Sequence, residues 1–415
     1  MRSTGKGKRS HGLRWVVVAI VCMMGGAYLL QSHAATTAIS AEPEHGTITA
    51  PASIVNDANA AGGKAVGFAA AASGARDPLK QPFASNSIWN MPIGSGAQYV
   101  HANLPFSPGD GYIWALLSDA DEDVIILKPT APLTAVRYNS SGWSGADRCP
   151  GQSTTLTTVP IPSNFVVPNN RNKNYAAAVL RPDGRTIAHM QPFTRCSAGG
   201  IATSLVTYPD TDLYGDGIRG AHGGSKMSAL GGSIRIGEMR SGQQGVKHAI
   251  KINVYSPRDL YNCAVRTDCF RWPAPGADTG AESSYGSENN NQNTAMKMGA
   301  LLALPASVNI NTMGLLSEPG RQLAWTMQNY GAYIVDSGGS PSYAISTEVS
   351  PDGIFTQQFQ ADFGVPFVQR VADQSPWSKD LQKLFSSLHV VNNNTATSIG
   401  GGGTPRQPLA PPIAP

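Results

Sequence analysis

Short apolar runs separated by turn-forming residues dominate the long middle part of this chain, residues 77–392. The 415-residue sequence contains 45 Gly and 30 Pro, and only 14% of its residues are charged. Short strands punctuated by Gly and Pro are typical of β-rich proteins. The pattern therefore predicts a mainly β fold, a jelly-roll-like β-sandwich, with helices confined to an α+β C-terminal portion.

Individual strands can be assigned from side-chain alternation and turn residues. Strands are expected at 124–127 and 176–180, and a Pro-Asp-Gly turn within 181–185 connects the second of these to a returning strand at 187–193. Residues 247–255 alternate most clearly, with one set apolar and the other polar. One face of that strand is expected to pack in the core, while the other is wet or lines a cleft.

Helices are expected late in the chain. Residues 318–330 carry apolar side chains at helical spacing, Ser317 suits the N-cap, and Gly331 suits the position just after the helix. A strand at 332–335 follows. A second amphipathic helix is predicted after Ser375-Pro376.

Residues 1–35 have the composition of an export signal or a membrane anchor. Five basic residues and no acidic residue precede the uncharged segment 15–30, and residues 32–34 offer a small-x-small cleavage pattern. We favour a cleaved signal peptide over an uncleaved anchor, and both place the remaining chain outside the cytoplasm. An extracellular or cell-surface location is therefore predicted.

The overall charge of +4 depends on this leader. Without residues 1–34 the chain has 26 basic and 27 acidic residues, a net charge of −1. A protein that binds nucleic acid is normally basic, so nucleic acid is not an expected partner. The sequence also contains no P-loop, GxSxG or HExxH motif.

The segments beside the main domain have linker-like composition. Residues 36–76 are predicted to form a short β hairpin or stalk followed by a linker, and the Gly/Pro-rich tail 393–415 is predicted to be disordered. Within the first of these, residues 41–68 resemble the opening strands of galactose-binding-like carbohydrate-binding modules of the family 6 and 35 type. The match covers too little of the chain for a complete module.

Four cysteines remain after the leader, as expected of disulfides in an oxidising compartment. The short spacing favours a Cys263–Cys269 bridge, which would leave Cys149 with Cys196. Three pairings are formally possible. A metal site built on these cysteines is disfavoured, because no CxxC pair and no clustered histidines accompany them.

The Gly-rich segment 210–255 is the most promising place for chemistry, because glycine permits close approach of the backbone to a ligand. Dense glycine can equally form tight turns. We take the catalytic candidates to be His222, Arg235, Glu238, His248 and Asp336. The candidates for substrate binding are His189, Gln191, Lys251, Asn253 and Tyr255.

Two kinds of reaction fit these candidates. Glu238 and Asp336 are possible partners in a glycosidase carboxylate pair. A lyase acting on uronic-acid polymers would instead use Arg235, Asn253 or Gln191 to neutralise the substrate carboxylate, and a histidine or Tyr255 to transfer the proton. His248 lies on the apolar side of its strand, so a buried structural histidine is the competing interpretation.

Two acidic clusters have simpler interpretations. Asp210, Asp212 and Asp216 resemble a calcium loop, but the alternate-ligand pattern is broken at Tyr214 and the closing Glu is missing. An Asp-rich turn is favoured there, and no cofactor is predicted. The second cluster, residues 119–123, is interpreted as a solvated turn.

Several motifs resemble an uncharacterised family of secreted bacterial proteins whose members are often joined to carbohydrate-binding modules. The resemblance spans residues 82–391 and rests on SIWNxPI at 87–93, VPIP at 159–162, HGGS at 222–225, GxIRxGE at 232–238, His248-Ala249, and Tyr330-Gly331 leading to Asp336.

By association alone, this resemblance implies a role with glycans. We therefore expect a secreted or cell-surface carbohydrate-active protein that cleaves polysaccharide as a lyase or glycoside hydrolase. The alternatives are a non-catalytic glycan-binding or adhesive surface protein and a structural envelope protein.

Overall fold

A computed structural model describes residues 75–104, 121–171 and 173–413, together with the backbone of two short strands nearer the N-terminus. The predicted leader, residues 1–35, lies outside the described residues. The chain divides into two compact units, residues 1–73 and residues 74–415. In the first unit, β1 (Ala52–Asn56) and β2 (Lys64–Phe68) form a two-stranded antiparallel sheet.

Three sheets form the framework of the second unit. Sheet I has six strands, whose spatial order is β10 (Val206–Asp212), β8 (Thr186–Gln191), β7 (Ala177–Leu180), β4 (Glu122–Ile126), β15 (Thr347–Ser350) and β16 (Gly353–Ile354). Sheet II also has six, in the order β14 (Ala344–Ile345), β11 (Ile250–Val254), β13 (Ala332–Ser337), β12 (Leu301–Ala303), β17 (His389–Val391) and β3 (Tyr99–His101). Sheet III consists of β6 (Thr155–Pro160), β5 (Leu133–Tyr138) and β9 (Ala202–Ser204).

The prediction of a mainly β protein is confirmed, whereas the jelly-roll-like sandwich is not. A jelly roll is built from antiparallel strands. Here β4 runs parallel to both β7 and β15, and β11 runs parallel to β13. Both large sheets are therefore mixed. Each parallel pair needs a long connection that brings the chain back to the end of the sheet where the earlier strand began.

Sheet I separates two apolar cores, because successive side chains of a strand point to opposite faces. On β4, Val124 and Ile126 face a smaller core that also contains Val136 of sheet III. Ile125 faces the larger core, which includes Ile252 of sheet II. The strands of sheet I are thus covered on both faces.

The described helices are mostly in the C-terminal part, as expected. They are α1 (Ser256–Asp259), α2 (Ala281–Ser284), α3 (Glu318–Asn329), α4 (Phe355–Phe363) and α5 (Pro376–Ser386).

Local sequence signals explain where the longer helices begin and end. The Ser317 hydroxyl accepts the amide of Gly320 at the start of α3, and Gly331 follows the helix with a φ of +80°. The Ser375 hydroxyl accepts the amide of Ser378 at the start of α5. The predicted positions of Ser317 and Gly331 at the two ends of α3 are thereby confirmed.

The predicted hairpin and disulfides are also present. β7 and β8 pair antiparallel on either side of the Pro-Asp-Gly turn. Cys263 is bonded to Cys269, and Cys149 is bonded to Cys196. Both pairings agree with the expectation from spacing.

Two expectations about packing are wrong. All five residues of β11 are buried, so its polar face is not wet, and His248 precedes the strand instead of lying on it. The tail expected to be disordered is hydrogen-bonded to the domain over its described residues 393–413: the amide of Gly94 donates to Gly400, and that of Arg406 donates to Ile93. Backbone hydrogen bonds to a preformed surface order a segment that could not form a core alone.

Residues 1–35 aside, no helix in the part of the chain that the structure describes has the length and apolar character required to cross a bilayer.

Candidate active site between two sheets

Sheet I contributes four buried polar side chains to the interior. Asp123 lies on β4 and Asp121 lies two residues earlier, while His189 and Gln191 lie two residues apart on β8. The spacing of two places each pair on one face of the sheet. None of the four is more than 1% exposed.

Sheet II contributes three more polar side chains from the opposite side. Lys251 and Asn253 share one face of β11 and are 0% and 2% exposed. The register between β11 and β13 shifts, because Ile252 pairs with Ile334 but Asn253 pairs with Asp336. This bulge turns Asp336 to the same face as Lys251 and Asn253, which a regular strand would not do.

His222 lies between these two sets. Its Nε2 is 3.0 Å from Asp123 Oδ1, and its Nδ1 is 3.9 Å from Asp336 Oδ2. Lys251 Nζ is 2.9 Å from Asp123 Oδ2. We call these eight residues the inter-sheet cluster: Asp121, Asp123, His189, Gln191, His222, Lys251, Asn253 and Asp336.

The charges in the cluster follow from these contacts. Burial opposes ionisation of Asp123, but Lys251 and His222 outweigh it and lower the pKa of this carboxyl. Burial and Lys251 oppose protonation of His222, yet Asp123 and Asp336 raise its pKa. Burial, Lys251 and His222 lower the pKa of His189 to about 3, so His189 stays neutral.

Asp121 differs from Asp123, which is paired with His222 and Lys251, because Asp121 forms no ion pair. Neither of its oxygens has a hydrogen-bond partner. Burial, together with the nearby charges of Asp336 and Asp123, raises the pKa of Asp121 to about 7 despite the opposing effect of His222. Two carboxyls on one strand therefore favour different protonation states at neutral pH, which is a property of acid–base sites.

The cluster continues to Asp278, which is partly buried. Gly224 separates Asp278 from Asp336: a Cβ at this glycine would lie 3.0 Å from Asp278 Oδ2 and 2.9 Å from Asp336 Oδ1. Burial and the charge of Asp336 raise the pKa of Asp278 to about 6, while the Tyr285 hydroxyl donates to Asp278 Oδ2 at 2.6 Å. Only glycine permits both carboxyls to approach this backbone so closely.

An aromatic side chain adjoins the acidic pair. Asn174 Nδ2 donates to Asp336 Oδ2 at 3.3 Å, and Trp143 Nε1 donates to Asn174 Oδ1 at 2.7 Å. Trp143 is 49% exposed and borders a cavity of about 580 Å³ that also contacts Arg171. A held indole with a free face is suited to stacking on a flat ligand.

Unpaired polar atoms distinguish the cluster from a structural core. Buried atoms without a hydrogen-bond partner include both Asp121 oxygens, both side-chain amide atoms of Gln191, His189 Nδ1 and Asn253 Oδ1. Each such atom costs stability unless a ligand or ordered water satisfies it. These unpaired atoms surround carboxyls whose pKa values are shifted, which makes the cluster the strongest candidate for an active site.

The remaining catalytic candidates lie in a different place. Arg235, Glu238 and His248 line a cleft of about 780 Å³ together with Glu348. Arg235 Nε donates to Glu348 Oε2 at 2.7 Å, and His248 Nε2 is 3.1 Å from Glu238 Oε2. We call this the Arg235 cleft.

The structure thus divides the predicted residues. Six of them lie in the inter-sheet cluster: His222 and Asp336 from the catalytic set, and His189, Gln191, Lys251 and Asn253 from the substrate-binding set. Glu238 and Asp336 do not line the same site, so they are not a carboxylate pair. Tyr255 belongs to neither group, since its hydroxyl donates to Glu288 at the surface.

Sequence reasoning missed several important residues. The interpretation of residues 119–123 as a solvated turn is wrong for Asp121 and Asp123, which are buried because sheet I is covered on both faces. Asp119 lies outside the described residues. The available signal was the i, i+2 spacing of two acids running directly into an apolar strand. Asp278 and Glu348 had no such signal.

The aspartates of the suspected calcium loop have other partners. Asp210 pairs with Arg181 at 2.6 Å and Asp212 pairs with Arg185 at 2.7 Å, while Asp216 accepts the amide of a following turn residue. Among the described residues, no group of three or more His, Cys, Asp and Glu side chains is arranged to hold a metal ion.

No protein-family model, curated protein or solved structure matches this chain. The resemblances noted in the sequence therefore stay predictions, and function has to be inferred from the geometry of the two sites.

Proposed function

We propose that this protein is a secreted or cell-surface carbohydrate-active enzyme that cleaves polysaccharide by glycoside hydrolysis in the inter-sheet cluster. One observation carries the proposal: Asp278 and Asp336 lie beside each other across Gly224, and the pKa of Asp278 is raised to about 6. A glycosidase needs one carboxyl that holds a proton and one that does not.

Asp278 is the better general acid. It keeps its proton up to about pH 6, and Tyr285 occupies only its Oδ2, so Oδ1 can hold the proton to be delivered to the glycosidic oxygen. Asp336 is the better base or nucleophile. Both of its oxygens accept hydrogen bonds, from the amide of Ser337 and from Asn174, and hydrogen bonds donated to a carboxyl favour its charged form.

His222 is a positioning residue in this scheme. Its raised pKa keeps a positive charge beside Asp336, which favours the ionised form of that carboxylate. The other ring nitrogen of His222 lies 3.0 Å from Asp123, which is itself paired with Lys251. Removal of this histidine takes the positive charge away from Asp336 and should therefore change the pH profile of hydrolysis.

The charge of the site favours hydrolysis over the lyase reaction. A lyase that acts on uronic acids must neutralise the substrate carboxylate. The Asp336 carboxylate would repel the carboxylate of such a substrate, and the nearby Lys226 is directed toward the Gly223 carbonyl. Arg235, the strongest candidate for neutralisation, lies in the other cleft. A neutral glycan is therefore the favoured substrate.

Trp143 supports a second candidate function, a glycan-binding surface without catalysis. Its indole is fixed through Asn174, and its ring is half exposed. Sugar rings stack on such surfaces whether or not a bond is then cleaved. The two disulfides support an oxidising location for either function.

A panel of neutral and uronate-containing polysaccharides separates these functions. New reducing ends report hydrolysis, and new ultraviolet absorbance from double bonds reports a lyase. We expect reducing ends from a neutral glycan, lost in Asp278→Asn and Asp336→Asn, with binding retained in both. Binding without any product would favour the glycan-binding surface, and double-bond formation would reject the proposed mechanism.

A further inference from the structure

The guanidinium of Arg235, which lines the Arg235 cleft, has a hydrogen-bond donor without an acceptor. Arg235 is tied on one side, because its Nε donates to Glu348 Oε2, which also accepts the amide of Ile236 at 2.9 Å. Its Nη1 is buried and has no hydrogen-bond partner. The side chain is 11% exposed. A buried guanidinium nitrogen without an acceptor is costly, so an acceptor supplied from the cleft would stabilise it.

A second cation in the cleft is held in its charged form. His248 Nδ1 donates to the carbonyl of Ala249 at 2.9 Å. Its Nε2 faces Glu238 Oε2 and can donate there only if the ring carries both protons. Burial opposes that charge, but Glu238 outweighs burial and raises the pKa of His248.

The remaining charges leave the cleft slightly positive. Arg235 is paired with Glu348, His248 with Glu238, and Lys128 with Asp352. Lys80 and Lys247 line the same cleft and are exposed at its rim, against a single further carboxylate, Asp77. The cleft volume of about 780 Å³ accommodates a ligand of several sugar units, not only a small ion.

We propose that the Arg235 cleft is a separate binding site for a saccharide that bears an anionic oxygen group, and that the Arg235 guanidinium donates to this group. The anionic group is inferred from the cleft alone, whereas the saccharide part rests on the proposed function. A guanidinium nitrogen that is already oriented by a carboxylate loses little freedom when it binds an anion. Lys80 and Lys247 attract the ligand at longer range.

Binding to the purified full-length protein tests this proposal. The probes are short galacturonate oligomers, the same oligomers with every carboxyl methyl-esterified, and a sulfated oligosaccharide, measured by titration calorimetry. We expect the acid form to bind at least about tenfold more tightly than its ester. A preference for the sulfated probe instead would identify a sulfate ester as the anionic group.

Two sets of variants locate the binding. Arg235→Gln should abolish the preference for the acid over the ester. Because Arg235 also supports Glu348, the rim variant Lys80→Gln/Lys247→Gln provides a test outside the buried network: it should weaken acid binding at low salt and lose this effect at high salt. Lys379→Gln, an exposed lysine on α5, is the matched control and should bind as wild type.

The proposal is overturned if neither anionic probe binds more tightly than the methyl ester, or if folded Arg235→Gln and the rim variant both bind as wild type. The same titration with Asp278→Asn, which should not hydrolyse glycans, measures anion binding independently of hydrolysis. Retained anion binding without hydrolysis would contradict only the proposed function. Hydrolysis without anion preference would contradict only this inference.

Discussion

Asp121→Asn should make the protein more stable above neutral pH and leave it unchanged in acid. The pKa of Asp121 rises from 3.8 to about 7 on folding, chiefly because burial disfavours its charged form. Between these values the unfolded chain has lost the proton while the folded protein retains it, so wild-type stability falls as pH rises. Asparagine has a similar shape and no charge.

The structure sets the size of this effect. At roughly 1.4 kcal/mol for each unit of pKa shift, the buried Asp121 lowers the free energy of unfolding of the wild-type protein by about 4 kcal/mol above pH 7. The free energy of unfolding of Asp121→Asn should therefore equal that of wild type near pH 4 and exceed it by up to this amount near pH 8. Most of the gain should develop between these two values.

Guanidinium denaturation of both proteins at about pH 4, 6 and 8 measures the difference. Asp216→Asn is the matched control, because Asp216 is exposed and its remaining amide oxygen can still accept the turn hydrogen bond. That control should differ from wild type by the same amount at every pH. A pH-independent difference for Asp121→Asn, or a variant less stable than wild type near pH 8, would refute the reasoning.

Three further outcomes are expected. Wild-type hydrolysis should decline as pH rises above about 6, because Asp278 then loses the proton it delivers. The Asp278→Asn variant should lower kcat at least about a hundredfold. A flat pH–rate profile of the wild-type enzyme would contradict this role of Asp278. Gly224→Ala should lower kcat while retaining folding, since a Cβ would press on both carboxyls; unchanged kcat in this variant would argue against catalysis at this position. Replacing Cys149 and Cys196 by serine should lower the free energy of unfolding by about 4 kcal/mol, because the bridge closes a loop with a sequence separation of 47; equal denaturation midpoints would show that the bridge contributes little.

Local features of the fold were predictable because their causes lie within a few residues. Ser317 and Ser375 cap helices through amides three residues ahead, and Gly331 ends a helix by adopting a positive φ. The hairpin of β7 and β8 follows from one turn. The order of residues 393–413 could not be predicted from local sequence. It depends on hydrogen bonds to residues about 300 positions away, as between Gly94 and Gly400.

The candidate residues were recognisable by type, but their grouping was not. His222 and His248 occur in one Gly-rich segment, yet one lies between sheets I and II and the other lines the Arg235 cleft. The segment 232–238 passes between the two sites, with Ser233 donating to Asp123 on one side and Arg235 bonding Glu348 on the other. Residues adjacent in sequence therefore serve different sites.

The sequence by itself determined the β-rich character, the helix caps and turns and most of the candidate polar residues, and it favoured the disulfide pairing that is found, because propensity, capping and short loop closure act locally. Only the tertiary structure decided which of these residues meet. The parallel pairing in sheet I buries Asp121 and Asp123, and the bulge opposite Asn253 turns Asp336 toward His222. Both depend on strands more than 50 residues apart, and no local pattern encodes their register.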